Sequence, residues 1–161
     1  MPAPGELDDV DRAIVRELVA DARISNAALA ERVGVAPSTA LVRTRSLVER
    51  GVIDGFHATV SLPALGRPVQ ALISVKLRAH DRDEIDRFTS FAPALPDVLE
   101  MFHVSGGTDY LLRIAVASTD ALRDWVLDNL ATDASVAHTE TTLVFAHHRG
   151  SAGAGMERFG E

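Results

Sequence analysis

Residues 34–53 read GVAPSTALVRTRSLVERGVI, and the helix start and stop signals within them decide how we interpret the whole chain. Gly34 supplies the permissive backbone that a tight turn needs, and Pro37 stands where a new helix would begin. Gly51 stands where that helix would end. Upstream, Ser25 is suited to cap a short preceding helix. Two short helices joined by such a turn are typical of a helix-turn-helix.

The predicted second helix, residues 37–50, has two sides of different character. One side is small or apolar and can pack on the preceding helix; it consists of Ala40, Thr44, Leu47 and Val48. The other side mixes hydroxyls, a guanidinium and short apolar groups, which are the kinds of side chain that read base edges in a major groove. An amphipathic helix with a solvated face fits the periodicity alone equally well. The turn chemistry on both sides favours DNA binding.

The candidate DNA-binding residues all lie in this second helix. They are Pro37, Ser38, Thr39, Val42, Arg43, Arg45 and Ser46. Arg43 lies at the border between the two sides, where it could reach a phosphate or pair with an acid inside the domain. Arg45 lies on the polar side, where it could contact a base.

The charge balance bears on the kind of DNA binding. The chain carries 16 basic and 23 acidic residues, a formal net charge of −7 at pH 7. This counts against an architectural protein that coats DNA without sequence preference, since nonspecific binding needs a strongly basic surface. Within residues 34–51, however, three arginines stand against one acid. A locally basic helix on an acidic protein can still dock on DNA, and a dimer would double the contacts.

Length and composition predict a core-forming protein of one medium domain or two small ones, with 161 residues of which 47% are hydrophobic. The absence of cysteine excludes disulfides and thiolate metal sites. No apolar run reaches the roughly 18 residues of a membrane span. Residues 1–5 are too short and uncharged for a signal peptide. We therefore expect a cytoplasmic protein with no membrane partner.

Beyond Gly51 the pattern changes from helical to extended. Residues 52–60 fit a short wing or connecting strand, and residues 61–68 contain the prolines and glycine that are typical of a linker. Strand and helix patterns then follow in the order β-α-β-β-α-β, beginning with clean alternation over residues 69–78. That order is the split βαβ, ferredoxin-like arrangement.

The predicted fold class is α+β, with an N-terminal winged helix-turn-helix domain and a C-terminal ferredoxin-like βαββαβ domain. The predicted domains are residues 1–60 for DNA binding, a linker over 61–68, residues 69–148 for effector binding and oligomerisation, and a flexible tail over 149–161. With both helices on one face of the sheet, the other face is open, and an apolar open face predicts self-association. The residues expected on this face are Leu72, Leu99, Met101, Leu111 and Ala115.

Residues 6–148 resemble the Lrp/AsnC (feast/famine) family of transcription regulators. The resemblance is carried by Leu7-Asp8-x-x-Asp11-x-x-Ile14, by Arg23-Ile24-Ser25 with Leu29-Ala30, by residues 34–53, and by Val104-Ser105-Gly106-x-x-Asp109-Tyr110-Leu111-Leu112, with Thr139-Glu140-Thr141-Thr142-Leu143-Val144 as a weaker match. The order and spacing of these stretches together are specific. The resemblance implies a DNA-binding head joined to an effector-binding domain of ferredoxin-like fold, of the RAM type. Such proteins form dimers, often tetramers or octamers, and respond to small molecules, usually amino acids.

The chain departs from the family pattern at three positions. Ala36 stands just before the second helix where the family often has serine, and Val48 replaces an acid. Gly107 stands where an acid or proline is common. The last departure bears on the identity of the effector more than on the existence of a site.

An amino-acid effector would present a carboxylate and an ammonium close together. Backbone N–H groups in the turn at Gly106 and Gly107 can receive the carboxylate, and Asp109 could counter the ammonium. Hydroxyls on a neighbouring strand could add hydrogen bonds. The resemblance points to the same turn and strand, at a contact between dimers. A plain hairpin turn and ordinary strand threonines are the alternative. The candidate effector-binding residues are Gly106, Gly107, Thr108, Asp109, Thr139 and Thr141.

We expect the effector to bias how dimers assemble, and so to change the spacing of the DNA-binding heads. The expected partners are double-stranded DNA, a small-molecule effector and further copies of the chain.

No catalytic residue, metal site or cofactor is expected. The six histidines lack ligand spacing, and the chain has no cysteine, nucleophile elbow or phosphate loop. The rival interpretation is an enzyme, since siroheme decarboxylases resemble the same two-domain plan. Such an enzyme uses basic and histidine side chains to hold a polycarboxylate tetrapyrrole, whereas Arg78, Arg113 and His103 are scattered along this sequence.

Overall fold

The computed structural model describes residues 7–79 and 81–148. The predicted flexible tail, residues 149–161, lies outside the described residues, as do residues 1–5. The chain divides into two compact units, with the boundary between Thr59 and Val60.

The first unit contains three helices, α1 (Asp9–Ala20), α2 (Asn26–Val33) and α3 (Pro37–Glu49). The predicted caps of the first two are present, because the side chain of Asp8 accepts the N–H of Asp11 and that of Ser25 accepts the N–H of Ala28.

The turn into α3 follows the predicted chemistry. Gly34 has φ 72°, a left-handed conformation that glycine adopts without a Cβ penalty. Ala36 at the N-cap of α3 makes no side-chain hydrogen bond, as its missing hydroxyl implies. Pro37 follows at the first helical position, where its lack of an N–H removes one donor that would otherwise need a cap.

The three helices share a small core. Ile14 from α1, Leu29 from α2 and Leu47 from α3 are each at most 3% exposed and pack together. Ala40 is also fully buried. Val48 was predicted on this buried side and is instead 41% exposed, since it lies about 100° around the helix from Leu47.

The stretch after α3 forms no strand in the described part of the first unit. The N–H groups of Val52 and Ile53 both donate to the carbonyl of Leu47, and the two side chains pack against the helical core. Residues 54–61 are irregular. This stretch therefore closes the core rather than pairing as a connecting strand.

The second unit contains β1 (Val69–Leu77), α4 (Arg82–Phe91), β2 (Val98–His103), β3 (Tyr110–Val116), α5 (Thr119–Val126) and β4 (Val136–Val144). The strands pair antiparallel in the order β2-β3-β1-β4. This is the predicted ferredoxin-like βαββαβ arrangement. The predicted linker, residues 61–68, lies in this unit, where Arg67 pairs with Asp97 at 2.9 Å.

One face of the sheet packs on the helices. The alternation predicted for β1 is confirmed, with Ala71, Ile73, Val75 and Leu77 all buried. Phe88 of α4 is fully buried against Tyr110 of β3, with ring centroids 4.8 Å apart. These contacts form the larger of the two cores.

The other face departs from the prediction at β2. Met101 pairs with Leu112 and packs on the helix side, so its assignment to the open face was wrong. An irregularity between Val98 and Glu100 shifts the register, and one inserted residue moves every later side chain to the opposite face. Phe102, 50% exposed, takes the place on the open face instead.

Candidate nucleic-acid interface and ligand site

The exposed face of α3 carries most of the predicted DNA-binding residues. Ser38, Thr39 and Arg45 are exposed, and Val42 is 64% exposed. Arg45 has no ion-pair partner within residues 7–79 and 81–148. Its guanidinium is therefore available for a ligand outside the domain.

Arg43 is placed differently. Its Nη1 donates to Asp8 Oδ2 at 2.6 Å and to Asp11 Oδ1 at 2.8 Å. Hydrogen bonds to Asp11 and Asp8 raise the pKa of Arg43 above its ordinary value. The pKa of Asp8 is lowered by the N–H of Asp11 and by Arg43. The sequence left two roles open for Arg43, contact with a phosphate or pairing with an acid inside the domain. In the structure Arg43 pairs with acids inside the domain.

A shallow groove of about 490 Å³ runs along this side of α3. It brings together five predicted DNA-binding residues with an acid of α1. The lining residues are Asp11, Ser38, Thr39, Val42, Arg43, Ser46 and Arg50. The sequence did not predict the part that Asp11 has here, because Asp11 and Arg43 are 32 residues apart and no local signal links them.

The predicted effector turn connects β2 and β3. Gly106 has φ 117°, which favours glycine, and a Cβ added at Gly106 or Gly107 would meet no atom within 4 Å. The outer side of this turn is open, as close approach of a ligand requires.

Asp109 does not face that open side. Its Oδ2 accepts the backbone N–H of Leu77 at 2.8 Å, and its Oδ1 accepts a hydrogen bond from Lys76 Nζ at 3.3 Å. The residue is only 9% exposed. The carboxylate ties β3 to β1, because a strand end leaves donors that a buried acid can satisfy. The role of Asp109 as counter-charge for an ammonium stays a prediction, which would require the carboxylate to leave these contacts.

Thr108 is also engaged within the chain. Its hydroxyl donates to the carbonyl of Val75 at 2.9 Å. Together with the N–H of Asp109, which donates to the same carbonyl, this bond fastens the turn to β1.

Thr139 and Thr141 lie on β4, which pairs with β1 and not with β3. Two strand spacings, roughly 10 Å, therefore separate them from the strand that follows the glycine turn. Thr139 stands opposite Val75 and Thr141 opposite Ile73, which places both on the helix side of the sheet. Their prediction on a strand next to the turn was wrong, because the order of strands in a sheet is not the order in sequence.

Thr141 lines a separate groove of about 330 Å³ between β4 and α5, together with apolar residues such as Leu122 and Leu127. Within residues 7–79 and 81–148, no group of three or more histidine, cysteine, aspartate or glutamate side chains could hold a metal ion. None of the helices described is long and apolar enough to cross a membrane.

Comparison with known proteins matches both units. The sequence pattern of the Lrp/AsnC ligand binding domain matches residues 70–151, and that of a winged helix-turn-helix DNA-binding domain matches residues 7–54. The chain is 44% identical to the HTH-type transcriptional regulator AldR of Mycobacterium tuberculosis, over 92% of this chain and 83% of that protein. It is 34% identical to the leucine-responsive regulatory protein of Escherichia coli, over 88% of this chain and 87% of that protein.

Among solved structures, the complex of the transcriptional regulator NMB0573 with L-Met from Neisseria meningitidis is similar, with a TM-score of 0.82 and 30% identity. The likeness covers 90% of this chain and 94% of that one.

Proposed function

Because this chain belongs to the Lrp/AsnC family and is a DNA-binding transcriptional regulator, we propose that the exposed face of α3 reads the base sequence and that an amino acid is the effector. The observation that carries the first part is the contrast between two arginines of one helix. Arg45 is exposed without a partner in the described chain, whereas Arg43 is held by two carboxylates. We therefore assign direct base contact to Arg45, with Ser38 and Val42 beside it.

Replacing Arg45 by alanine is expected to relax the preference at one base pair of the operator. A good contact between an arginine and a base is worth about 1–3 kcal/mol of discrimination, so affinity for the selected sequence should fall roughly 5- to 150-fold. The measurement is selection of bound duplexes from a random pool at near-physiological salt, followed by affinity measurement on the enriched sequence.

Arg16→Ala is the matched control, since it removes the same charge from an exposed position on α1. It should leave the enriched sequence unchanged. If Arg43→Ala relaxes one base pair and Arg45→Ala weakens all sequences alike, the assignment of these two arginines is reversed.

The proposed effector site is the turn at Gly106 and Gly107. Its support is the open space outside both glycines, which lets a ligand carboxylate approach the backbone N–H groups. Asp109 is left out of the site because its carboxylate is engaged by β1. Thr139 and Thr141 stand two strands away within one chain, so we propose that a second copy of the chain completes the site.

The effector test is a titration with each of the twenty amino acids, read out by the shift in melting temperature. Gly107→Val should weaken the response to the active amino acid about tenfold or more without lowering the melting temperature of the free protein, since a Cβ at this position would meet no atom within 4 Å. Ala94→Val, which adds two methyl groups at an exposed position away from this turn, is the control. An unchanged response in Gly107→Val would remove the turn from the site.

The proposed mechanism is that the effector changes how dimers assemble on DNA. Size distributions measured with and without the active amino acid should differ. If they are identical while DNA binding depends on the amino acid, the assembly step is wrong.

The enzyme alternative has no support from the relatives, which are named as regulators. Arg113 lies on the open face of the sheet, whereas His103 lies on the helix side, stacked on Tyr110 at 4.6 Å. Side chains on opposite faces do not converge on one tetrapyrrole. We place the protein in the cytoplasm, where the DNA it binds is accessible.

A further inference from the structure

We propose that Asp11 is a positioning residue for sequence readout, which holds α3 at a fixed rotation through Arg43 and Arg50. The proposal rests on the DNA-binding function of α3 and adds a determinant on α1, outside the helix-turn-helix pair itself. Asp11 touches no base in this scheme; it acts through the helix that does.

Asp11 is placed to act on two arginines at once. Its Oδ1 accepts from Arg43 Nη1 at 2.8 Å, and its Oδ2 lies 3.4 Å from Arg50 Nη1. Its side chain is only 8% exposed, whereas those of Arg43 and Arg50 are 34% and 36% exposed. A carboxylate that is nearly out of water and bonded to two cations forms stronger and more directional contacts than a surface pair.

The spacing of the two arginines makes this arrangement sensitive to rotation. Arg43 and Arg50 are seven residues apart, close to two full turns, so they lie on the same side of α3. Arg45, two residues after Arg43, points about 160° away around the helix axis. Turning α3 to move Arg45 within the major groove would therefore pull both arginines away from Asp11.

Apolar packing alone constrains this rotation weakly. Only Ala40 and Leu47 of α3 are buried, and a methyl group and one leucine can slide against neighbours with little directional preference. The second carboxylate, Asp8 Oδ2, reinforces the same side through its 2.6 Å contact with Arg43. Charged hydrogen bonds from Arg43 to Asp11 and Asp8 fix the rotation of α3 about its axis, which the small core constrains only weakly.

The pairing has a second consequence for discrimination between sequences. Arg43 and Arg50 border the groove that also contains Ser38 and Thr39. Free cations there would bind phosphates of any sequence, which raises nonspecific affinity and its salt dependence. Engaging them with Asp11 keeps this sequence-independent contribution low.

The test compares two variants of the full chain, Asp11→Asn and the control Asp9→Asn. Asp9 lies on the same helix, its side chain is fully exposed, and its one described partner, Arg12, is 3.9 Å away. Affinities are measured for the selected duplex and for a scrambled duplex, each at two salt concentrations. For Asp11→Asn, we expect the selected duplex to bind more weakly, the scrambled duplex more tightly and with a steeper salt slope, and the ratio of the two to fall about tenfold or more. Asp9→Asn should keep the wild-type ratio.

Asp8→Asn is the second variant, to be used if Asp11→Asn does not fold. It keeps a side-chain oxygen that can cap α1 while it removes one negative charge from Arg43, so the ratio should fall in the same direction. Restoration of the ratio in Asp11→Glu would support a charged contact.

Where the wild-type protein shows a sequence preference, two results would overturn the positioning role. One is an unchanged ratio in folded Asp11→Asn or Asp8→Asn; the other is a parallel loss of both affinities that follows the loss of melting temperature, as a purely structural acid would produce. If the wild-type protein itself shows no sequence preference, base readout by α3 fails and the positioning role fails with it. A wild-type preference with an unchanged variant ratio removes the positioning role alone.

Discussion

Replacing Leu47 by alanine is expected to unfold the first unit and abolish DNA binding while the second unit stays folded. Leu47 is fully buried between Ile14 and Leu29. Truncating a buried leucine costs about 2–5 kcal/mol, and a unit with a core formed by three short helices is small enough for such a loss to remove most of its stability. The same change would also release the contact that Val52 and Ile53 make with the end of α3.

The single tryptophan makes this result measurable. Trp125 is buried in the second unit, with its Nε1 donating to the carbonyl of Pro96 at 2.7 Å, so its fluorescence reports on that unit alone. In Leu47→Ala the helical circular dichroism should fall, with the fluorescence transition in urea unchanged. Leu41→Ala is the control, since this leucine of α3 is 40% exposed and its truncation should cost little.

Loss of both signals together in Leu47→Ala would contradict independent folding of the two units. It would also contradict the division of the chain into a DNA-binding domain and a ligand-binding domain, which the sequence predicts.

Replacing Asp109 by alanine is expected to destabilise the second unit by about 1.5–3 kcal/mol, the range for a hydrogen bond to a charged group. The variant leaves the N–H of Leu77 without its 2.8 Å acceptor and Lys76 without its carboxylate. Because Asp109 fastens the end of β3 to β1, the turn at Gly106 and Gly107 should lose its anchor as well.

The measurement is urea unfolding followed by Trp125 fluorescence. Asp109→Asn keeps an oxygen for Leu77 and should lose less stability than the alanine variant. If Asp109→Ala keeps its stability but loses the response to the active amino acid, Asp109 belongs to the ligand site that the sequence predicts.

Local sequence signals predicted most of the fold. The caps at Asp8 and Ser25, the turn at Gly34 and the alternation in β1 each depend on residues within a few positions of one another. Such signals act through φ, ψ and hydrogen bonds along one helix or strand, so they are visible without knowledge of the partner element. The element order then restricted the topology to the ferredoxin-like arrangement.

The sequence did not predict contacts between side chains that are distant from each other in the chain. Asp11 and Arg43 are 32 residues apart, as are Leu77 and Asp109, and neither pair has a local signal. The inserted residue near the start of β2 was also invisible, since its effect is defined only against β3.

The sequence by itself therefore determined the two domains' secondary structure, the helix-turn-helix and the family. Tertiary structure alone decided which arginine of α3 has no ion-pair partner among the described residues, where the carboxylate of Asp109 points and how far the threonines of β4 lie from the glycine turn. The physical reason is that a charged side chain takes whatever partner packing brings within about 3 Å, and the packing of strands and helices is set by the whole core.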